Sequence, residues 1–192
     1  MKTAKIKRLV GLSLLMALIV VLQIMGNFIH IGPVALSLVL IPIVIGGAMY
    51  GPAGGALLGA TFSVMAIIFC VNGMDAGGAM VFQANPILCV LVVMSKGTLA
   101  GLASGWIYAL VKDRNSYLAM LCAAIVCPVV NTGVFLLCMF AFFQDVLQVW
   151  AGGSNVVGYV LTGLVLMNFL PELLLNVMVS SSAERILSTV KK

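Results

Sequence analysis

Charge is what this chain has least of. Asp, Glu, Lys and Arg make up only 8% of its 192 residues, where a soluble domain carries roughly a quarter. A water-exposed globular surface is therefore excluded. The chain has one histidine, His30, and its five cysteines (Cys70, Cys89, Cys122, Cys127, Cys138) form no CxxC or Cys/His spacing. That argues against a metal site and a disulfide framework, and reads the cysteines as small apolar helix residues. GxSxG, HExxH, paired aspartates and a Ser/His arrangement are missing, so catalysis has no support and no cofactor is expected. GxxxxGK[ST] is missing too, so the chain cannot itself couple ATP hydrolysis to transport. With no repeat, low-complexity linker or basic stripe, it reads as a single domain over 1–192 with no nucleic-acid footprint.

What is present is apolar. Hydrophobic residues are 63% of the chain and the mean hydropathy is +1.24. Runs long enough to cross a hydrocarbon core of roughly 30 Å fall at residues 9–28, 34–49, 54–71, 86–111, 117–143 and 159–180. The predicted fold is all-α, a compact bundle of six transmembrane helices, with the turn Tyr50-Gly51-Pro52-Ala53 between the second and third. Lys2, Lys5, Lys7 and Arg8 precede the first run, Lys112 and Arg114 follow the fourth, and Arg185, Lys191 and Lys192 follow the sixth. Six crossings put these clusters on one face, which the positive-inside rule makes cytoplasmic together with both termini. The first run is too long for a signal peptide and lacks a cleavage site.

Small residues recur every four positions at Gly51, Gly55, Gly59 and Ser63, and at Gly97, Gly101 and Gly105, a spacing that lets helix backbones pack closely in lipid. Ser13 and Ala17 make a shorter pair on the first helix. The polar residues at mid-membrane are more informative, because each is costly without a partner or a cavity. Lys96, Asn131 and Glu172 fall at similar depth on three helices. Asn168, Glu172 and Asn176 share one face of the sixth, where Pro171 should kink the helix and free a carbonyl. Either Lys96 and Glu172 neutralise each other while the amides tie helices together, or some of these residues line a ligand cavity in which Lys96 holds an anionic group and Asn131 orients a carbonyl or hydroxyl. The outer segments 71–85, with Asp75 and Asn85, and 144–158, with Trp150, could fold over such a cavity as lids.

Several motifs then occur in a telling order: Ile41-Pro42-Ile43-Val44-Ile45-Gly46-Gly47 leading to Tyr50-Gly51-Pro52-Ala53-Gly54-Gly55, Asn85-Pro86-Ile87-Leu88, Lys96-Gly97, Pro128-Val129-Val130-Asn131-Thr132-Gly133, and Glu172-Leu173-Leu174-Leu175-Asn176. With them the chain resembles the substrate-binding components of energy-coupling factor (ECF) vitamin transporters, and looks most similar to pantothenate-type and unassigned members. The resemblance implies a six-helix protein of a prokaryotic plasma membrane that binds one vitamin or similar small molecule from outside. It also implies partners: a transmembrane coupling subunit carrying two ATPase subunits. The family's Ala-x-x-x-Ala docking motif falls on Ser13 and Ala17. Some relatives carry a Pro-Arg pair where Val92-Val93 stands here, so Lys96 would take over anion binding. The scarcity of aromatics near the expected cavity argues against a flavin or pterin, although Phe28, Phe82, Trp150 and Tyr159 could provide a stack. The expected substrate-binding residues are Lys96, Asn131, Glu172, Asn168, Asn85 and Trp150. Two other classes stay open: a stand-alone proton-coupled carrier that titrates Glu172, and an assembly subunit with no ligand.

Overall fold

The computed structural model describes residues 2–26, 30–31, 34–35 and 38–190. Phe28, Lys191 and Lys192 lie outside the described residues. In chain order the elements are α1 (Lys2–Gly26), a two-residue antiparallel ladder of β1 (His30–Ile31) and β2 (Val34–Ala35), α2 (Leu40–Val71), α3 (Ala76–Ala84), α4 (Pro86–Val111), α5 (Ser116–Phe142), α6 (Gln144–Ala151), α7 (Val156–Tyr159), a π-helical stretch (Val160–Phe169) and α8 (Leu170–Val190). Five helical stretches are long and apolar enough to cross a membrane: Lys5–Gly26, Leu40–Val71, Pro86–Val111, Ser116–Phe142 and Val156–Ser180. The protein is a multi-pass, essentially all-helical membrane protein.

The second expected span starts later than its apolar run. Val34 and Ala35 pair with the strand that carries His30, and helix begins only at Leu40. The turn at Gly51 is also tighter than a loop. Two helices meet directly at Gly51, which has φ 79° and ψ −177°, a conformation that is essentially glycine-only. Pro52 follows at the first position of the new arm, where its missing N–H costs nothing. The chain folds back there. A Cβ placed on Gly55 would come within 3.2 Å of the Gly47 Cα, whereas eight residues of straight helix would separate them by about 12 Å. Residues 40–50 and 52–71 are thus the two arms of a helical hairpin, and the first arm is only about 16 Å long.

The two glycine stripes, each expected to be a packing surface, pack against each other. A Cβ on Gly55 would strike the Gly101 carbonyl, one on Gly59 the Gly97 carbonyl, and one on Gly47 the Gly105 backbone at 3.1 Å. Only glycine permits this approach of α2 to α4. Ser63 completes the seam, with its hydroxyl 2.7 Å from the Val93 carbonyl oxygen and 3.0 Å from that of Gly59. At the Gly51 end, Arg8 donates to the Tyr50 carbonyl at 3.2 Å, and Gly105 packs on Pro52, less than three turns before Lys112. Lys7, Arg8, Lys112 and Arg114 therefore gather at one end of the bundle.

Two prolines shape the remaining helices. Pro128 inside α5 cannot donate to the carbonyl four residues back. Asn176 of α8 supplies the missing donor, with its Nδ2 2.7 Å from the Ala124 oxygen, and accepts from Ser180 Oγ at 3.4 Å. Pro171 stands just after the π-helical stretch, where the Leu170 N–H reaches back to the Val165 oxygen. The helix before Pro171 is thus widened. The apolar core forms two clusters. Leu12, Ile43, Leu58, Phe62 and Met120 belong to the first, and Val92, Val93, Met139, Leu147 and Leu164 to the second.

Candidate functional site

A cavity of about 110 Å³ draws its walls from both clusters. That is room for several waters or one small organic molecule. The glycine seam brings α4 close to the second arm of α2, so Lys96 and Phe62 face the same space. α5 contributes Asn131, Thr132 and Phe135. The π-helical stretch contributes Leu164 and Asn168, α8 contributes Glu172, and Gln23 reaches in from α1. At the end away from the basic cluster, the segments expected as loose lids are short helices. Asp75 caps α3 by accepting from the Gly78 N–H at 3.1 Å, and α6 carries Trp150. The two are joined where Trp150 Nε1 donates to Met80 Sδ at 3.3 Å. Asp75, Gly78, Val81 and Trp150 all line the cavity.

The ammonium of Lys96 sits 4.8 Å from the ring centroid of Phe135 and 5.9 Å from that of Phe62. Such cation–π contacts are worth about 0.5–2 kcal/mol each, and they hold the charge toward the cavity without using its three N–H donors. Trp150 stacks on the other side of this aromatic wall, 6.5 Å from Phe135 at 26°. The aromatic lining is therefore richer than expected and different in identity. Phe62 and Phe135 serve in it, while Phe82 and Tyr159 do not line the cavity.

Of the two alternatives for Lys96 and Glu172, the ion pair is not made. Lys96 and Glu172 line one cavity, yet no ion pair within 4.0 Å joins Lys96 to a carboxylate among the described residues. Glu172 is 4% and Asn131 7% exposed. Among the described residues, Glu172 Oε1, Asn131 Oδ1 and Asn168 Oδ1 are buried without a hydrogen-bond partner, as are the Ser104 and Tyr159 hydroxyls outside the lining. Leaving a buried polar group unsatisfied costs about 1–3 kcal/mol, so three around one space are a strong sign that the space is built to be occupied.

Five of the six expected site residues thus converge: Lys96, Asn131, Asn168, Glu172 and Trp150. Asn85 does not. It caps α4, with Oδ1 accepting from the Leu88 N–H at 3.1 Å, and lies outside the lining. Asn176 is not in the lining either, because its amide ties α8 to α5. Asp75 enters with the lid segment, and Gln23 and Thr132 join the lining unexpectedly. Gln23, a polar residue one turn before the end of an apolar helix, was the signal available for the first. Ser13 and Ala17 are exposed on α1, the least buried of the membrane-crossing helices.

A multi-pass helical bundle with an internal cavity lined by orphaned polar atoms defines a membrane-embedded solute-binding protein. The family model described as ECF transporter, substrate-specific component matches residues 7–181, and the chain belongs to that family. Neither the curated proteins nor the solved structures provide a match. As a family member, the chain is the membrane substrate-binding subunit of an ECF importer, a transporter subunit rather than a catalyst.

Proposed function

We propose that the cavity between α2, α4, α5 and α8 binds a small vitamin-like solute from outside the cell, with pantothenate the first candidate. The observation that carries this reading is Lys96, whose ammonium is held over Phe62 and Phe135 with its donors unpaired, in a cavity ringed by unsatisfied polar atoms. An ammonium with free donors calls for an acidic or strongly accepting group, since charge-assisted hydrogen bonds are the strong kind. Pantothenate offers a carboxylate, an amide and two hydroxyls. Val92 and Val93 line the cavity as apolar wall, which leaves Lys96 as the cation for that carboxylate.

In this reading the basic end is cytoplasmic, both termini lie there, and the hairpin counts as two membrane segments, six in all. The lid helices α3 and α6 close the outer mouth. The exposed face of α1 bearing Ser13 and Ala17 meets a transmembrane coupling subunit, which works with two ATPase subunits. The missing Lys96–Glu172 ion pair weighs against an assembly role in which the two charges serve only as a staple. The test is uptake in proteoliposomes. The isolated chain should bind solute, and uphill uptake should require the coupling module and ATP. Uphill uptake by the chain alone, driven by a proton gradient, would replace this reading with a secondary carrier.

A further inference from the structure

We infer that Cys70 and Cys89 form a reactive dithiol pair at the lid end of the cavity. Hydrogen peroxide entering the cavity converts the pair to a disulfide, which bridges α2 to α4 and tightens the hold on α3. The bridge does not depend on which solute is bound. Its action on the lid rests on the reading of the cavity as the solute site.

The glycine seam sets the geometry. Gly55 lies against Gly101, Gly59 against Gly97, and the Ser63 hydroxyl reaches the Val93 carbonyl. Continued toward the lid end, that antiparallel register brings the last turn of α2, with Cys70, to the start of α4, with Cys89. Their thiols are within hydrogen-bonding reach of each other. Both side chains are buried, and both line the cavity beside Asp75 and Gly78. Cys122, Cys127 and Cys138 lie outside the lining, so place as well as proximity singles out the pair. The two cysteines also bracket the lid, because residues 71–88 between them contain all of α3. The Gly73 N–H donates to the Cys70 carbonyl at 3.4 Å and the Met74 N–H to that of Phe69 at 3.0 Å, which ties the start of the lid to the end of α2. Asn85 ends α3 and caps α4 one turn before Cys89. A Cβ on Gly78 would strike the Cys70 sulfur, so α3 rests on this thiol. Joining the sulfurs closes the lid segment into a loop, and a disulfide restricts mainly the open states of the loop it closes.

The chemistry needs only the two thiols and peroxide, which is small and uncharged. One thiolate attacks a peroxide oxygen and breaks the O–O bond. Its sulfur becomes a sulfenic acid and hydroxide leaves. The second thiolate attacks that sulfur, forms the S–S bond and expels a second hydroxide. The two thiol protons convert both hydroxides to water. The sulfurs lose two electrons and peroxide gains them.

The test treats the reduced, purified full chain with hydrogen peroxide and reads intact mass, then peptide maps. The expected product has lost two hydrogens and yields one cross-linked peptide pair, Cys70 to Cys89, that dithiothreitol separates. Cys70→Ser and Cys89→Ser should each abolish that product and leave a sulfenic acid that dimedone traps on the remaining cysteine, whereas Cys122→Ser should form the bridge as wild type does. Hydrogen exchange then reads the lid without any solute. Amides of residues 76–84 should exchange about tenfold or more slowly in the bridged protein, given the usual worth of a disulfide, and dithiothreitol should restore the faster rate. Peroxide that leaves Cys70 and Cys89 as free thiols, or links other cysteines instead, would overturn the dithiol pair. A Cys70–Cys89 bridge with unchanged exchange in α3 would overturn its action on the lid. Neither result would touch the solute site, which is tested by binding.

Discussion

At the scale of single residues, the same side-chain type plays opposite parts, and the difference lies in partners. Asn85, Asn131 and Asn176 are all asparagines in or beside apolar helices. Asn85 satisfies an N–H at the start of α4, Asn176 replaces a donor that Pro128 lacks, and Asn131 keeps an unpaired oxygen in the cavity. Depth and residue type made Lys96, Asn131 and Glu172 legible from sequence alone as residues that meet, and the structure places all three around one cavity. The role of Asn85 was legible too, because an asparagine just before Pro86 is a helix-start signature. Its place in a lid-like segment argued for the site instead, and the structure places it at the α4 cap, outside the lining. Asn85→Ala should therefore cost about 0.5–2 kcal/mol of stability and leave solute affinity within about twofold, measured by thermal unfolding and titration. Asn176→Leu should cost about 1–3 kcal/mol by stranding the Ala124 carbonyl, again with binding retained in the folded fraction. Loss of binding at unchanged stability in either variant would mean that the residue reaches the solute.

At the scale of elements, α4 was placed with both boundaries correct because Asn85-Pro86 and the polar turn after Val111 bracket it. The second span was not, because an apolar run looks alike whether it is a two-residue ladder or the start of a helix. The π-helical stretch was hidden for a related reason: Pro171 announced a disturbance in the helix but not its form. The glycine stripes were legible as packing surfaces, and the structure adds that they face each other. Gly59→Leu should prevent α2 from seating on α4, since its side chain would occupy the position of the Gly97 carbonyl. The expected outcome is loss of folded protein, seen as aggregation in size-exclusion chromatography. Gly51→Ala has open space around its Cβ but an unfavourable φ of 79°, so it should cost about 1–3 kcal/mol through backbone strain alone. A fully stable Gly51→Ala variant would show that the hairpin can turn another way. The lid latch predicts that Trp150→Ala, which removes both the Met80 bond and the Phe135 stack, speeds solute dissociation more than association in stopped-flow measurements.

At the scale of the whole molecule, the proposed binding and docking surfaces are separate. The cavity sits inside the bundle, and Ser13 and Ala17 sit on the exposed side of α1. Ser13→Trp or Ala17→Trp should abolish uptake with the coupling module while solute affinity stays unchanged. Equal loss of both would place α1's outer face in the binding machinery. Compositional sorting made the membrane architecture legible: apolar runs of crossing length, flanked by basic residues of which Lys7, Arg8, Lys112 and Arg114 gather at one end. The cavity's composition was less so, because which residues of different helices meet depends on helix rotation, and rotation here is fixed by the glycine seam and the Asn176 tie. The most direct measurement is solute binding by the purified chain, with pantothenate and other vitamins, comparing wild type with Lys96→Ala by native mass spectrometry and thermal shift. A complex that forms with wild type and disappears in a folded Lys96→Ala variant is the expected result. No complex from folded wild-type protein, or one that Lys96→Ala leaves intact, would contradict the assignment of this cavity.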